Sequence, residues 1–257
     1  MTENYESPEE RKSSFTPFLI AAGVALLFFG FVVSFPLAMA GLAVLALTLL
    51  KVFKDGTEEK FSSVNEADEE KWPVEAFSKE KLGTWIFLMS EILIFGSLIV
   101  AYIYVRIDST SWIVSSQVHD VMLGMSNTII LLTSGLAMTL ALYSIKVGNA
   151  KGLKIGLAAA FILGLTFLIV KLGFEWPALI GKGFTLTSGL PGSTYFVLTG
   201  LHAGHVAAGL FAIGYLMVRA FNGGFTSTKY TAVESVALYW AFVDIVWLIL
   251  FPLLYLI

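Results

Sequence analysis

The sequence predicts an all-α, polytopic transmembrane bundle of seven helices, and three observations carry that prediction. Hydrophobic residues make up 57% of the 257-residue chain and charged residues only 14%. Soluble domains average about 25% charged residues, so apolar surface here must face lipid. The apolar runs are continuous over about 20 residues, the length a helix needs to cross a bilayer. They do not alternate polar and apolar residues in short segments, as the strands of a membrane β-barrel do.

The elements follow in order. Residues 1–14 carry four glutamates against Arg11 and Lys12, the wrong charge for the n-region of a secretory signal, so a retained polar tail is expected. The run from Phe15 to Phe53 holds 39 residues, about 58 Å as helix and nearly twice the roughly 30 Å hydrocarbon core. It must fold back as a two-helix transmembrane hairpin over 15–53. The expected turn is Ser34-Phe35-Pro36, because proline disfavours helix in the residue before it and suits the first turn of the next. Residues 54–81 hold nine acidic residues and five lysines with no spanning stretch, and read as an acidic aqueous linker. Five more spans follow within 82–257, at about 82–106, 119–146, 153–173, 191–220 and 229–256. Gly148-Asn149, Gly181-Lys-Gly183 and Asn222-Gly-Gly224 punctuate the connections.

Orientation follows from basic residues. All but three (Arg106, Lys171, Lys182) of the 16 lysines and arginines fall on the side of the N-terminal tail, so the N-terminus is predicted inside and the C-terminus outside. Composition also excludes functions. A net charge of -3 gives no support to nucleic-acid binding. Zero cysteines exclude disulfides, thiolate-held iron–sulfur clusters, a dithiolate copper centre and covalent c-type haem. His119, His202 and His205 are all the histidines there are, too few for much haem ligation.

The candidate site residues are the polar groups inside apolar spans. Glu91 interrupts Trp85–Val105, where a charge costs roughly 2.5–3.5 kcal/mol on insertion scales. It reads either as a protonatable group in a proton path or as a protonated carboxyl satisfied by a neighbouring helix. On the predicted orientation it lies roughly 13 Å from the inner end of its span. His202 and His205, at i and i+3, are expected on one helix face as hydrogen-bonded packing residues rather than metal ligands, since the remaining histidine, His119, lies at an outer helix end. Asp244 and Glu234 are expected to pair with these histidines, with Tyr230 or Tyr239, or with hydroxyls across the bundle. Gly200, Gly204 and Gly209, with Ala203, Ala207 and Ala208, form a stripe of small residues that predicts close helix contacts and includes the small-xxx-small pair Gly200 and Gly204. Trp72, Trp85, Trp176 and Tyr104 read as headgroup anchors, and Lys171 as a snorkelling lysine with Glu175 as partner. No internal repeat of the kind that marks inverted-repeat transporters is found.

Four segments carry more than physics alone. They are Lys81-Leu-Gly-Thr-Trp-Ile-Phe-Leu-Met-Ser-Glu91, Asn127-Thr-Ile-Ile-Leu-Leu-Thr-Ser134, Gly192-Ser-Thr-Tyr-Phe-Val-Leu-Thr-Gly-Leu-His-Ala-Gly-His-Val206 and Glu234-Ser-Val-Ala-Leu-Tyr-Trp-Ala-Phe-Val-Asp-Ile-Val-Trp247. In order and spacing they closely resemble subunit III of haem–copper oxidases, over about residues 80–257. The resemblance implies a non-catalytic core subunit of a proton-pumping cytochrome c oxidase. It implies no redox centre on this chain, with haem and copper in partner subunits I and II. It also implies helices one and two separated from helices three to seven by a lipid-filled V-shaped cleft, with bound phospholipid.

By the same resemblance Glu91 falls on the family's buried glutamate near the proton-uptake region and the lipid cleft, and His202, His205, Glu234 and Asp244 fall on motif positions. The implied location is an energy-transducing membrane, the prokaryotic plasma membrane. Two positions depart from the family: Ala241 and Tyr230 stand where histidines are usual, so contacts built on those imidazoles are not carried over. The competing readings are a subunit III of a quinol oxidase or nitric oxide reductase, and an independent proton-coupled transporter.

Overall fold

The computed structural model describes residues 19, 22, 23, 26, 35–58, 79–109 and 120–256. The chain divides into two compact units, Met1–Val64 and Asn65–Ile257.

In the first unit, helix α1 spans Phe35–Glu58. Pro36 is the second residue of this described stretch. The helix runs five residues past the expected end at 53, into the expected linker. Gly23 is helical and lies against it: a Cβ on Gly23 would stand 2.8 Å from Leu45 Cγ and 3.1 Å from Leu45 N. The tail 1–14, Ser34, residues 59–78 of the linker, Trp72 and His119 lie outside the described residues.

The second unit is built from α2 (Lys79–Asp108), α3 (Val121–Lys146), α4 (Ala150–Ile169), α5 (Trp176–Gly181), α6 (Gly189–Phe221) and α7 (Thr231–Phe251). Five segments are long and apolar enough to cross a membrane: 81–108, 121–146, 150–181, 189–221 and 231–256. All described elements are helical. Local chemistry sets the ends. Asp120 caps α3 by accepting the Leu123 N–H at 3.0 Å, and Asn149 caps α4 by accepting Gly152 N–H at 3.0 Å. Gly148, Gly183 and Gly223 follow helix ends with φ of 79°, 80° and 74°, the left-handed closure that only glycine adopts freely.

The third span differs from expectation. It does not stop near 173 but passes through a π-helical turn, Val170–Glu175, into α5 and ends at Gly181. Pro177 is the physical reason, because a proline inside a helix has no N–H to give the preceding turn. A widened turn just ahead of it accommodates the missing bond. Pro252 likewise opens a second π turn, Pro252–Leu256, after α7.

Helices α3, α4, α6 and α7 pack as a ring of four neighbours, and α2 lies outside it against α6 and α7. Buried positions on α3 recur at Gly124, Thr128, Leu131, Ser134, Met138, Ala141 and Ile145, a stripe at helical spacing. Gly156 lets α4 approach α3 so closely that a Cβ there would stand 2.7 Å from that of Ala141. The Trp240 ring fills a slot between Gly164 of α4 and Gly209 of α6, and its Nε1–H donates to Ser134 Oγ of α3 at 3.2 Å.

Of the expected small-residue stripe, Gly209 makes the close approach among the described residues. Gly204 is exposed, with no atom within 4 Å of an added Cβ, and Gly200 lies beside Trp176. The small residues of α6 occupy two faces, and within this unit the close approach is made by Gly209.

Candidate functional site

Helix α2 presents Glu91 inward, 9% exposed, and α6 presents His205 toward it. His205 Nε2 lies 2.9 Å from Glu91 Oε2, and His205 Nδ1 lies 2.8 Å from the Leu201 carbonyl. A carbonyl only accepts, so Nδ1 carries a hydrogen and donates it. One further proton therefore belongs between Nε2 and Oε2. With the proton on the carboxyl, the acid donates to a neutral imidazole; with it on Nε2, an imidazolium donates to a carboxylate. Both arrangements have zero net charge, so the proton can change owner without leaving a net charge in the membrane interior. The Phe95 ring stands edge-on to the imidazole at 4.9 Å, and Tyr239 donates its hydroxyl to the His205 carbonyl at 3.0 Å. Glu91 thus takes a hydrogen-bond partner from a neighbouring helix, at His205.

His202 takes a different direction. Although only three residues from His205, it turns into the four-helix ring, 1% exposed, stacked on Trp247 at 5.0 Å with the Phe167 ring edge at 5.7 Å. Neither of its nitrogens has a hydrogen-bond partner among the described residues. The expected hydrogen-bonded packing role therefore holds for His205 and not for His202. One helix face was expected for both, but the intervening 300° of rotation lets the first reach α4 and α7 and the second reach α2.

Nor do Glu234 and Asp244 join the histidines. Glu234, in the first turn of α7, pairs with Lys81 of α2 at 2.9 Å and Lys146 of α3 at 3.2 Å. Thr84 donates to Ser235 beside it at 3.0 Å. This is a clasp at one end of the unit, where the lysines of two helix ends reach a common carboxylate. Asp244 is 7% exposed between α7 and α3, its Oδ2 beside Gly135 and its Oδ1 without a partner among the described residues. The two histidines, Glu234 and Asp244 occupy four separate places.

A second ionic cluster lies on the first π turn. Lys171 is 1% exposed, so it does not snorkel; its ammonium is held inside. It donates to Glu175 Oε1 at 3.0 Å, to Tyr195 Oη at 3.0 Å and to Tyr255 Oη. Both phenols donate in turn to the same Glu175 oxygen, Tyr195 at 2.6 Å. All three ammonium hydrogens are thereby used, and the Trp247 and Tyr195 faces lie 4.9 Å and 5.1 Å from the nitrogen. The sequence signals Lys171 with Glu175 through their i,i+4 spacing. Tyr195 and Tyr255 come from distant segments, and only the fold brings them there. Trp176 packs edge-on against Phe196 at 5.2 Å. Among the described residues no group of three or more His, Cys, Asp or Glu gathers as a metal site.

Long apolar helices enclosing these ionisable groups define a multi-pass membrane protein. Residues 5–257 match the cytochrome c oxidase subunit III family. The chain is 36% identical over 250 residues to the heme-copper oxidase subunit I+III of Aeropyrum pernix, covering 94% of this chain and 30% of that longer relative. It is 33% identical over 201 residues to cytochrome c oxidase subunit 3 of Bacillus subtilis, covering 77% and 96%. To cytochrome c oxidase subunit 3 of Corynebacterium diphtheriae it is 32% identical over 177 residues, covering 68% and 86%. The chain belongs to the cytochrome c oxidase subunit III family.

Proposed function

We propose that this chain is the accessory third subunit of a proton-pumping cytochrome c oxidase, supporting the catalytic subunit and its proton uptake while carrying no redox centre itself. The observation that carries the proton-handling part is the Glu91–His205 contact at 2.9 Å. Because Nδ1 is committed to Leu201, the pair holds one shared proton that can reside on either partner at constant net charge. Such a pair is suited to take up or release a proton near a pathway without an uncompensated ion in the bilayer.

Partner subunits I and II, with the haem and copper, belong to this reading. The Aeropyrum pernix relative, named as subunit I and III together, supports a lasting association with subunit I. The seven-helix count rests on the lengths of the apolar runs, and the lipid-filled cleft and bound phospholipid on the resemblance read in the sequence. The prokaryotic plasma membrane and the inside N-terminus rest on that resemblance too, the latter also on the lysine and arginine distribution.

The test is gentle detergent or nanodisc purification through a tag on this chain, followed by a haem spectrum and oxygen uptake with reduced cytochrome c or quinol. Co-purified a-type haem with cytochrome c oxidation is expected. Quinol-driven uptake in its place would assign the chain to a quinol oxidase. A colourless, partner-free protein would overturn the oxidase assignment and favour an independent proton-coupled transporter.

A further inference from the structure

Beyond the Glu91–His205 pair, three buried groups with unmet hydrogen-bonding capacity lie on elements that meet at the Phe167 and Trp247 rings. The first is His202, whose two nitrogens are both without partners. A neutral imidazole carries one N–H and one lone pair in either tautomer, so a change of tautomer satisfies neither. The second is Asn127 of α3, 0% exposed, which gives its amide to the Phe167 carbonyl at 3.3 Å and leaves Oδ1 with none. The third is Glu175, whose Oε1 takes every donor of the lysine–tyrosine cluster while Oε2 takes none.

Two aromatic rings tie these groups together. Phe167, whose carbonyl holds Asn127, lies 5.0 Å from the Trp247 ring, and both rings contact His202. Trp247 donates its Nε1–H to Thr128, next to Asn127, at 2.9 Å, and the Lys171 nitrogen bonded to Glu175 stands 4.9 Å over its face.

The chemistry of this set selects its ligand. Two acceptors need donors, and the imidazole needs one of each. An apolar occupant meets none of these needs. A cation would lie beside the Lys171 ammonium and could not accept from the imidazole; an anion would lie beside a carboxylate and could not donate. Water donates two hydrogen bonds and accepts two, and buried waters in proteins make about three bonds to polar groups of this kind. We propose that the ring core at His202 is a binding site for ordered internal water, held by the imidazole and shared with Asn127 Oδ1 and Glu175 Oε2.

Millisecond X-ray irradiation of the intact purified complex, read by mass spectrometry, tests this directly. Bound water yields hydroxyl radicals in place, and these oxidise the side chains that touch it. The chain supplies its own dry control. Trp240 is as buried as Trp247, on the same helix, with its N–H on Ser134 and its ring in a slot beside Gly164 and Gly209. Trp247 is expected to oxidise several-fold faster than Trp240, and His202→Leu to bring it down to the Trp240 rate. Equally slow oxidation of both tryptophans in the unmodified protein would overturn the proposal. So would an undiminished Trp247 rate in the His202→Leu complex. If that variant does not assemble, the comparison of the two tryptophans decides alone.

Discussion

The carboxylate of Asp244 on α7 lies against the bare Cα of Gly135 on α3, so close that a Cβ on the glycine would stand 1.9 Å from Asp244 Oδ2. Glycine is required there by space rather than by backbone conformation. Gly135→Ala must push the acid aside or part the two helices, and overpacking of this kind costs about 1–3 kcal/mol. The purified protein is expected to melt at a lower temperature. Gly135→Ala with Asp244→Ala is expected to recover part of that loss, because the atom struck is gone. Strictly additive losses in this cycle would show that the contact is not the cause.

The Trp240 slot makes a second, graded prediction. An added Cβ would stand 2.7 Å from the indole at Gly164 and 2.6 Å at Gly209, whereas at Gly204 it would meet nothing. The ring is 0% exposed and its atoms are not the free end of a flexible chain. Gly164→Ala and Gly209→Ala should each destabilise the bundle by about 1–3 kcal/mol, and Gly204→Ala should leave its melting temperature unchanged. Equal effects at Gly204 and Gly209 in detergent-solubilised protein would contradict this packing.

The difference between those glycines also shows what the sequence could and could not disclose. Apolar length set the number and approximate limits of the five described spans, because crossing a bilayer demands about 20 residues whatever the neighbours are. Glu91 was legible for the same reason: an acid in lipid needs a partner or a proton. Which partner it takes was not, since His202 and His205 differ by one turn and only helix placement decides which ring faces α2. Lys171 misled for a related reason. Its place near a span end suggests a surface amine, while the π turn before Pro177 rotates it into a pocket of two tyrosines drawn from residues 24 and 84 positions away. Small-residue spacing marks Gly200, Gly204 and Gly209 alike, yet of the three only Gly209 faces Trp240. Periodicity shows which residues share a helix face, and the remaining helices determine whether that face is covered.

At the shared-proton pair, two substitutions separate structure from proton handling. In Glu91→Gln the amide still donates to His205 Nε2, as the carboxylic acid does, but no proton can pass between the partners. Glu91→Ala removes both the bond and the proton. The Gln variant is expected to assemble with full haem content while proton pumping falls or turnover-dependent inactivation quickens; the Ala variant should add a loss of stability. Unchanged pumping and inactivation rates in Glu91→Gln would reject a proton role for this carboxyl.

The Lys171–Glu175 cluster should respond to single and double substitutions in opposite senses. Removing one partner leaves a buried charge with two phenols that cannot neutralise it, and breaking a buried pair in this way typically costs about 3–5 kcal/mol. Lys171→Leu or Glu175→Leu alone is therefore expected to reduce strongly the yield of assembled protein. With both replaced no ion remains, and the Tyr195 and Tyr255 hydroxyls, 3.4 Å apart, still have each other. The double variant should then assemble better than either single one, measured as the fraction of complex recovered intact after size-exclusion chromatography. A double variant worse than both singles would mean that the cluster holds the C-terminal π turn through the ion pair itself, with the tyrosine contact too weak to keep Tyr255 in place.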